Sequence, residues 1–261
     1  MDITLHDSGP SVFHVLGVPI SATTPEDAVA RLIAWSRDNE GRLVCIRDVH
    51  GVMLARNDAE LRAIHDEAAL VTPDGMPLAL LGQWRGMKVA RTCGPDLMLN
   101  TLASSRATGL RHFFYGGRDG VAQGLAGRMS ERFPGLEIVA RETPPFRDLT
   151  DAEVAALANR IRESGAHIVW VGLSTPKQER LMRRLRPQVP ATLIGVGAAF
   201  DIHAGLIRRA PQWMQRLSLE GVYRLLKEPR RLWRRYLVLA PKFVVLAAAE
   251  QVSGRWKAPA G

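Results

Sequence analysis

The feature that most constrains this chain is an alternation of short apolar segments with longer amphipathic ones. Five apolar segments have strand length, at residues 43–46, 112–115, 136–139, 167–171 and 192–196. Strands that are apolar on both faces need helices packed against both faces. The alternation therefore predicts an α/β fold with a mostly parallel sheet, which binds its ligands at the carboxyl ends of the strands.

Capping signals mark helices between these segments. Thr24 followed by Pro25 predicts a helix over residues 25–37. Thr150 with Glu153 three residues later forms a capping box for a second helix, which is expected to end near residue 164.

A helical appendage is predicted to follow the sheet. After residue 201 the strand pattern stops, and the sequence to residue 251 indicates helices that break at Pro211, Pro229 and Pro241. We therefore predict an α/β domain over residues 1–206 and an appendage over residues 207–261. The apolar run 237–249 is interrupted by Pro241 and Lys242 and is shorter than the roughly 20 residues that span a bilayer. If the protein meets a membrane, we expect it to lie on the surface.

Neither export nor a metal site is indicated by the sequence. Cys45 and Cys93 lie far apart, without neighbouring ligands at metal-binding spacing, so both are expected to be small buried residues. The first seven residues lack the basic start and apolar core of a secretory signal. We expect a cytoplasmic protein with no metal and no cofactor.

Asp74 is the first candidate at a strand end. It belongs to a Thr-Pro-Asp-Gly turn at residues 72–75, which separates an apolar segment from a helical run over residues 76–84. Such a turn is common, and Asp74 could simply cap the helix. The functional alternative is a general base that takes a proton from an attacking hydroxyl.

Three further loops repeat the pattern of a strand followed by small residues and a helix. The first contains Gly117, where a close backbone approach to a phosphate and a plain tight turn are both consistent with the sequence. The second carries Gln178 and Glu179 in the first helical turn, where Glu179 could merely complement the helix dipole. The third ends in Asp201, which could accept hydrogen bonds from sugar hydroxyls. Four such loops indicate one ligand site at one edge of the sheet.

Positive charge is concentrated in residues 208–235, which carry a net charge of +7 out of +9 for the whole chain. This segment is expected to meet an anion. The helix that begins at Pro229 alternates arginines with apolar and aromatic residues, as interfacial helices do. A solvated basic face opposite an apolar face docked on the domain is the alternative.

Several long motifs, in a fixed order, resemble those of the WecG/TagA/CpsF family of bacterial glycosyltransferases, over about residues 12–243. The motifs lie at residues 72–77, Arg91 with 94–97, 176–179, 195–201 with Gly205, 209–211 with 213–214, and 228–236. The resemblance implies a Rossmann-like sheet with an appendage that closes over the active site and touches the membrane. It also implies inverting, metal-independent transfer from a UDP-sugar to a polyprenyl-diphosphate-linked saccharide at the cytoplasmic face.

Residue roles follow from the same resemblance. Asp74 corresponds to the base, and Asp201 to a contact on the nucleotide side. Substrate contacts are expected from five residues in these motifs, Thr72, Arg91, Asp96, Gln178 and Glu179, and from Gly117 because of its place in a strand-end loop. Arg224, Arg231 and Arg234 correspond to arginines that meet the diphosphate, a role that suits their planar, fork-shaped donors. Arg230, Trp233, Arg235 and Tyr236 are expected to face an anionic membrane.

Two positions depart from the family pattern. Asp48 stands where an asparagine is common in the loop after the first core strand, and we retain it as a substrate-contacting candidate. Gly221 stands where a tryptophan is frequent, so the appendage is expected to lack an aromatic anchor.

Two other classes of protein share single features with this sequence. The arginine cluster and a pI of about 10.3 are compatible with a nucleic-acid-binding α/β protein, but the sequence contains none of the usual recognition motifs. A nicotinamide-dependent oxidoreductase would need a G-x-G-x-x-G turn after its first strand, which this sequence lacks. The sequence leaves open the donor sugar, the acceptor saccharide and whether the chain forms a homo-oligomer.

Overall fold

The structure is a computed structural model that describes residues 9–38, 40–211, 213–214 and 220–254. A two-stranded hairpin precedes a six-stranded sheet in the order β4-β3-β8-β7-β5-β6. The strands are β1 Val12–Val15, β2 Val18–Ser21, β3 Leu43–Arg47, β4 Leu70–Pro73, β5 Arg111–Gly116, β6 Glu137–Glu142, β7 Ile168–Gly172 and β8 Thr192–Gly195. Every pairing in the larger sheet is parallel, so all six strands end at the same edge.

Helices connect the strands and then continue alone. The part of the chain up to residue 203 contains α1 Pro25–Trp35, α2 Val49–Asn57, α3 Ala59–Asp66, α4 Met76–Trp84, α5 Gly94–Ser105, α6 Val121–Arg132, α7 Asp151–Ser164, α8 Lys177–Leu185 and α9 Ala199–His203. A short 3₁₀ turn follows α8 at Arg186–Gln188. The C-terminal part contains α10 Glu220–Lys227, α11 Pro229–Trp233, a π-helical segment Arg234–Leu239 and α12 Ala240–Val252. The predicted Rossmann-like architecture with a helical C-terminal region is confirmed.

The core lies on both faces of the sheet because successive strand residues point in opposite directions. In β7, Val169 and Val171 belong to one apolar cluster, whereas Ile168 and Trp170 belong to the other. All four are fully buried. Helices must therefore cover both faces, as the apolar strands predicted.

The N-terminal hairpin was not predicted from the sequence. Its two strands have only four residues each, and they meet at Leu16 and Gly17, both of which have positive φ angles of 52° and 79°. Two such residues suit the tight turns that join antiparallel strands. The hairpin also receives the C-terminal helix, because the Leu16 N–H donates to Glu250 Oε2 at 3.1 Å.

The C-terminal helix α12 is docked on the α/β part of the chain. Phe243 and Ala247 are buried and belong to the same apolar cluster as β3 and β7. The predicted break at Pro241 is wrong, because the chain stays helical through this proline and widens into the π-helical segment just before it. Proline lacks the N–H that would continue the α-helical ladder, and a π turn is one way to absorb that loss. Among the described residues, no helix combines the length and apolarity needed to cross a bilayer.

Candidate active site at the carboxyl edge of the sheet

Asp48 and Asp74 lie side by side because they follow adjacent parallel strands. Arg47, the last residue of β3, is in register with Pro73, the last residue of β4. The Asp74 N–H donates to the Arg47 carbonyl oxygen at 2.7 Å, which continues the strand pairing one residue further. Strand ends of this kind are where α/β sheets hold their ligands.

Asp74 does not cap the helix that follows it. The N-cap residue of α4 is Gly75, and no side chain accepts a hydrogen bond from the first turn. The Asp74 side chain is 33% exposed and lies against Arg91, whose Nη2 is 3.5 Å from Oδ1. Burial and the carboxylates of Asp48 and Glu220 raise the pKa of Asp74 to about 6, against the opposing charges of Arg91 and Arg235. An available carboxylate of this kind suits a general base.

Arg91 joins this edge to the C-terminal helices. Its Nε donates to the Asp74 carbonyl oxygen at 2.6 Å, and its Nη2 donates to Glu220 Oε2 at 2.7 Å. Glu220 opens α10 and also lies 3.7 Å from Nε of Arg209. The Arg209 guanidinium in turn pairs with Asp96 in the first turn of α5. The predicted substrate contacts Arg91 and Asp96 are thus both engaged with groups that come from beyond residue 206.

Asp48 is the N-cap residue of α2 and accepts a hydrogen bond of 2.8 Å from the Gly51 N–H. Its other oxygen pairs with the Arg235 guanidinium. Although burial acts in the opposite direction, Arg235 and the Gly51 N–H hold the pKa of Asp48 below its usual range. The prediction that Arg235 faces the membrane is therefore wrong, because the π-helical segment turns this arginine into the site.

Tyr236 occupies the space left by the missing aromatic residue at position 221. A Cβ atom built on Gly221 would lie 2.6 Å from Cε1 of Tyr236, so the ring packs directly on the glycine backbone. Burial raises the pKa of Tyr236, with Asp48 and Asp74 acting in the same direction and Arg235 and Arg224 opposing it. Tyr236, which was expected at the membrane, is thus partly buried beside the two carboxylates.

Gln178 and Glu179 belong to a buried polar network. Glu179 forms an ion pair with Arg47, and both side chains are almost completely buried. Gln178 Nε2 donates to Glu179 Oε1 at 2.8 Å, and Gln178 Oε1 accepts from the Gly197 N–H at 3.1 Å. Although burial opposes it, the charge of Arg47 and the Gln178 hydrogen bond hold the pKa of Glu179 below its usual range. The network links the ends of β3, β7 and β8, so Glu179 does more than complement a helix dipole.

The other predicted site residues lie at the same edge of the sheet and differ in their burial and hydrogen bonding. Thr72 is fully buried and donates to the Thr92 carbonyl oxygen at 3.1 Å. The Gly117 N–H donates to the Gly172 carbonyl oxygen at 3.0 Å, and its φ of +73° suits glycine. Asp201 has a buried Oδ1 without a hydrogen-bond partner in the described structure. Substrate contact by these residues stays a prediction.

The arginines predicted to act from the appendage differ in how far they are exposed to solvent. Arg224 is half-buried in α10 and close enough to Tyr236 to act on its pKa. Arg234 and Arg230 are exposed, and the Arg234 guanidinium lies 5.3 Å from the ring centroid of Trp233. The side chain of Arg231 lies outside the described residues, as do Arg216 and the residues at 218–219.

Sequence reasoning missed three residues that organise the site: Arg47, Glu220 and Arg235. Only Arg47 carried a local signal, because a charged residue that ends an apolar strand needs a buried carboxylate partner. Within the described part of the chain, no three His, Cys, Asp or Glu side chains are grouped so that they could hold a metal ion.

A parallel α/β sheet whose carboxyl edge gathers carboxylates, a buried amide and several arginines defines an enzyme-like site for an anionic, hydroxyl-bearing ligand. The chain belongs to the glycosyl transferase WecG/TagA/CpsF family, whose family model matches residues 13–257. It is similar to the N-acetylglucosaminyldiphosphoundecaprenol N-acetyl-beta-D-mannosaminyltransferase of Bacillus subtilis (strain 168). The two are 29% identical over 199 residues, which make up 76% of this chain and 75% of the relative. The resemblance stated from the motifs is confirmed, and the protein is a glycosyltransferase.

Proposed function

We propose that this protein transfers a hexose or N-acetylhexosamine-type sugar from a UDP-sugar to a polyprenyl-diphosphate-linked saccharide, with inversion at the anomeric carbon. The name of the Bacillus subtilis relative describes transfer to an undecaprenol-diphosphate-linked N-acetylglucosamine, which supports this class of acceptor. The observation that carries the proposal is the position of Asp74 at the ligand edge of the sheet. Its carboxylate does not cap the helix that follows and lies against Arg91.

Asp74 is the general base of the proposed reaction. Its carboxylate takes the proton from the acceptor hydroxyl while that oxygen attacks the anomeric carbon. The bond from that carbon to the UDP oxygen breaks on the opposite face, and UDP leaves with the electron pair. A pKa of about 6 leaves Asp74 mostly ionised at neutral pH, yet more basic than an ordinary aspartate.

Arginines supply the positive charge that the departing diphosphate requires. We propose Arg224, Arg231 and Arg234 for this role, as the family resemblance implies. The position of Arg224 near Tyr236 supports the first of these. Arg235 joins the set as a fourth candidate because it already points into the site. In this scheme the transfer does not depend on a metal ion.

The protein is proposed to work at the inner face of the cell membrane, where a polyprenyl-linked acceptor resides. Exposed apolar side chains in the C-terminal part support this, since Leu237, Val244 and Val245 are all largely open to solvent. Arg230 and Lys242 lie exposed in the same stretch and would favour anionic lipid.

The proposed base is tested with Asp74→Asn in the full-length protein. We expect transfer from UDP-sugars to an undecaprenyl-diphosphate-sugar analogue to fall by at least about a hundredfold, whereas calorimetric UDP binding stays within a few-fold of the parent. Asp151→Asn, which changes an exposed aspartate in the first turn of α7, serves as control and should retain full turnover. Unchanged turnover in Asp74→Asn would remove Asp74 as the base.

The loss of activity is not expected to reflect unfolding. Because the folded-state pKa of Asp74 is raised, this group contributes stability at low pH that is lost as the pH rises through about 6. Replacing it with asparagine should therefore not lower the urea midpoint at pH 7.5.

A further inference from the structure

Asp48 and Asp74 each follow the last residue of one of two paired strands, so their backbones are neighbours. Besides the hydrogen bond from the Asp74 N–H to Arg47, a Cβ atom built on Gly75 would lie only 3.7 Å from the Cα of Asp48. The negative charge of Asp48 acts on the neighbouring Asp74 and favours its protonated form. The two groups therefore titrate as a coupled pair, and their surroundings decide which one keeps the proton.

The surroundings favour ionisation of Asp48. Its Oδ1 accepts a hydrogen bond from the Gly51 N–H at the start of α2, and its Oδ2 pairs with the Arg235 guanidinium. The Asp74 side chain accepts only a long hydrogen bond in the described structure, from Arg91 Nη2 at 3.5 Å. Arg91 is itself shared with Glu220, at the shorter distance of 2.7 Å.

We infer that Asp48 is a positioning residue for catalysis: held as a carboxylate by Arg235, it makes its neighbour Asp74 the member of the pair that accepts the proton. This inference rests on the proposed role of Asp74 as the base. It assigns Asp48 a function other than the substrate contact expected from its place in the loop. It also gives Arg235 a function at the site rather than at the membrane.

Each element packed around Asp74 contributes a charged or titratable group. The segment before α5 contributes Arg91 and Cys93, and the N-cap position of α2 contributes Asp48. Helix α10 contributes Glu220, and the π-helical segment contributes Arg235 and Tyr236. Asp48 pairs with Arg235. Asp74 and Glu220, in contrast, share the guanidinium of Arg91.

Asp48→Asn is a nearly isosteric test of this inference. Asparagine retains the N-cap hydrogen bond from Gly51 but removes the negative charge and releases Arg235. Both changes favour the ionised form of Asp74. We expect the acidic limb of the kcat/KM profile, near pH 6 in the parent, to move down by about 0.5–1 pH unit.

Arg235→Gln gives the opposite expectation. Without this cation the two carboxylates repel each other more strongly, and a higher pH is needed to free Asp74 of its proton. The acidic limb should therefore move upward, by about 0.5 pH unit or more. Opposite shifts from two neighbouring substitutions would not arise from general damage to the site.

Two controls identify the group that titrates. Asp58→Asn is matched to Asp48→Asn, because Asp58 caps α3 through the Leu61 N–H at 2.9 Å and pairs with Arg180 at 2.9 Å. It should leave the limb in place. His50 lies beside Asp48 and Arg235, and burial and the charge of Arg235 lower its pKa. His50→Gln should also retain the limb, and loss of the limb in that variant would overturn the inference.

The outcomes separate the inference from the proposed function. If Asp74→Asn is inactive but the limb moves in neither Asp48→Asn nor Arg235→Gln, Asp74 remains the base and the inference is wrong. If Asp48→Asn changes KM equally at every pH without moving the limb, Asp48 is a substrate contact instead. Full activity of Asp74→Asn removes the proposed base itself. The UDP-sugar diphosphate has no ionisation near pH 6, so it does not contribute to the limb.

Discussion

The buried pair of Arg47 and Glu179 shows how much of this site depends on single side chains. Both are nearly inaccessible to solvent, and each is the main charged partner of the other. Gln178 and Thr175 complete the hydrogen bonding on one oxygen of Glu179. Because desolvation of each ion is costly, such a pair gives little net stability as a whole, yet the loss of one member is severe.

Glu179→Gln is therefore expected to destabilise the protein by about 3–5 kcal/mol, because it leaves the Arg47 guanidinium buried without a counter-charge. Urea unfolding monitored by circular dichroism would measure this. The double variant Arg47→Met/Glu179→Leu should lose less, since it removes both charges. Glu142→Gln is the control, because Glu142 pairs with Arg160 at the surface and should cost no more than about 1 kcal/mol. Equal effects of Glu179→Gln and Glu142→Gln would contradict this account.

At the scale of elements, helices with capping signals could be predicted closely and irregular ones could not. Thr24 caps α1 through the Asp27 N–H, and Thr150 with Glu153 forms the capping box that opens α7. These signals are local, so the sequence is enough to find them. The continuation of the last helix through Pro241 depends instead on packing of Phe243 into the core, which no local pattern reports.

The contact between α10 and the π-helical segment depends on a glycine. A side chain at position 221 would meet the ring of Tyr236 at 2.6 Å, closer than real Cβ contacts allow. The ring lies next to Arg235 in the same helical segment, so its displacement would carry the arginine away from Asp48.

Gly221→Ala is expected to lower kcat/KM several-fold without unfolding the protein. The gain in helix propensity, up to about 1 kcal/mol, should be offset by the clash with Tyr236. Gly124→Ala in α6 is the matched control, because nothing lies within 4 Å of its added methyl group. That variant should be stabilised by about 0.5–1 kcal/mol with unchanged turnover. If both variants show the same stability gain and full activity, Gly221 has no part in placing Tyr236.

At the scale of the whole molecule, the architecture could be predicted from the sequence, but the pairing of charges at the site could not. Apolar strands and the loops that follow them locate the ligand edge by local periodicity. The ion pair of Asp48 with Arg235 joins residues 187 positions apart, and that of Arg47 with Glu179 joins residues 132 positions apart. Several arginines in the basic segment were equally good partners by sequence, and only the turn of the π-helical segment selects Arg235.

Charge and apolar exposure combine on the C-terminal part of the molecule. The chain as a whole carries a net charge of +9. On α12, Val244 and Val245 are 61% and 68% exposed, whereas Phe243 and Ala247 on the same helix are buried. One side of this helix is thus fixed to the domain while the other presents apolar side chains to solvent, as in helices that rest in a membrane interface.

Val244→Ser/Val245→Ser is therefore expected to weaken binding to vesicles containing anionic phosphatidylglycerol by about thirtyfold, because burial of each valine contributes on the order of 1 kcal/mol. Co-sedimentation at 0.1 M salt would measure the bound fraction. Higher salt should weaken the parent as well, since the basic residues act through screened attraction. Val139→Ser on β6, at the edge of the sheet opposite β4, removes a valine that is 37% exposed and should bind as the parent does. Undiminished binding of the double variant would show that α12 is not the surface that meets the lipid.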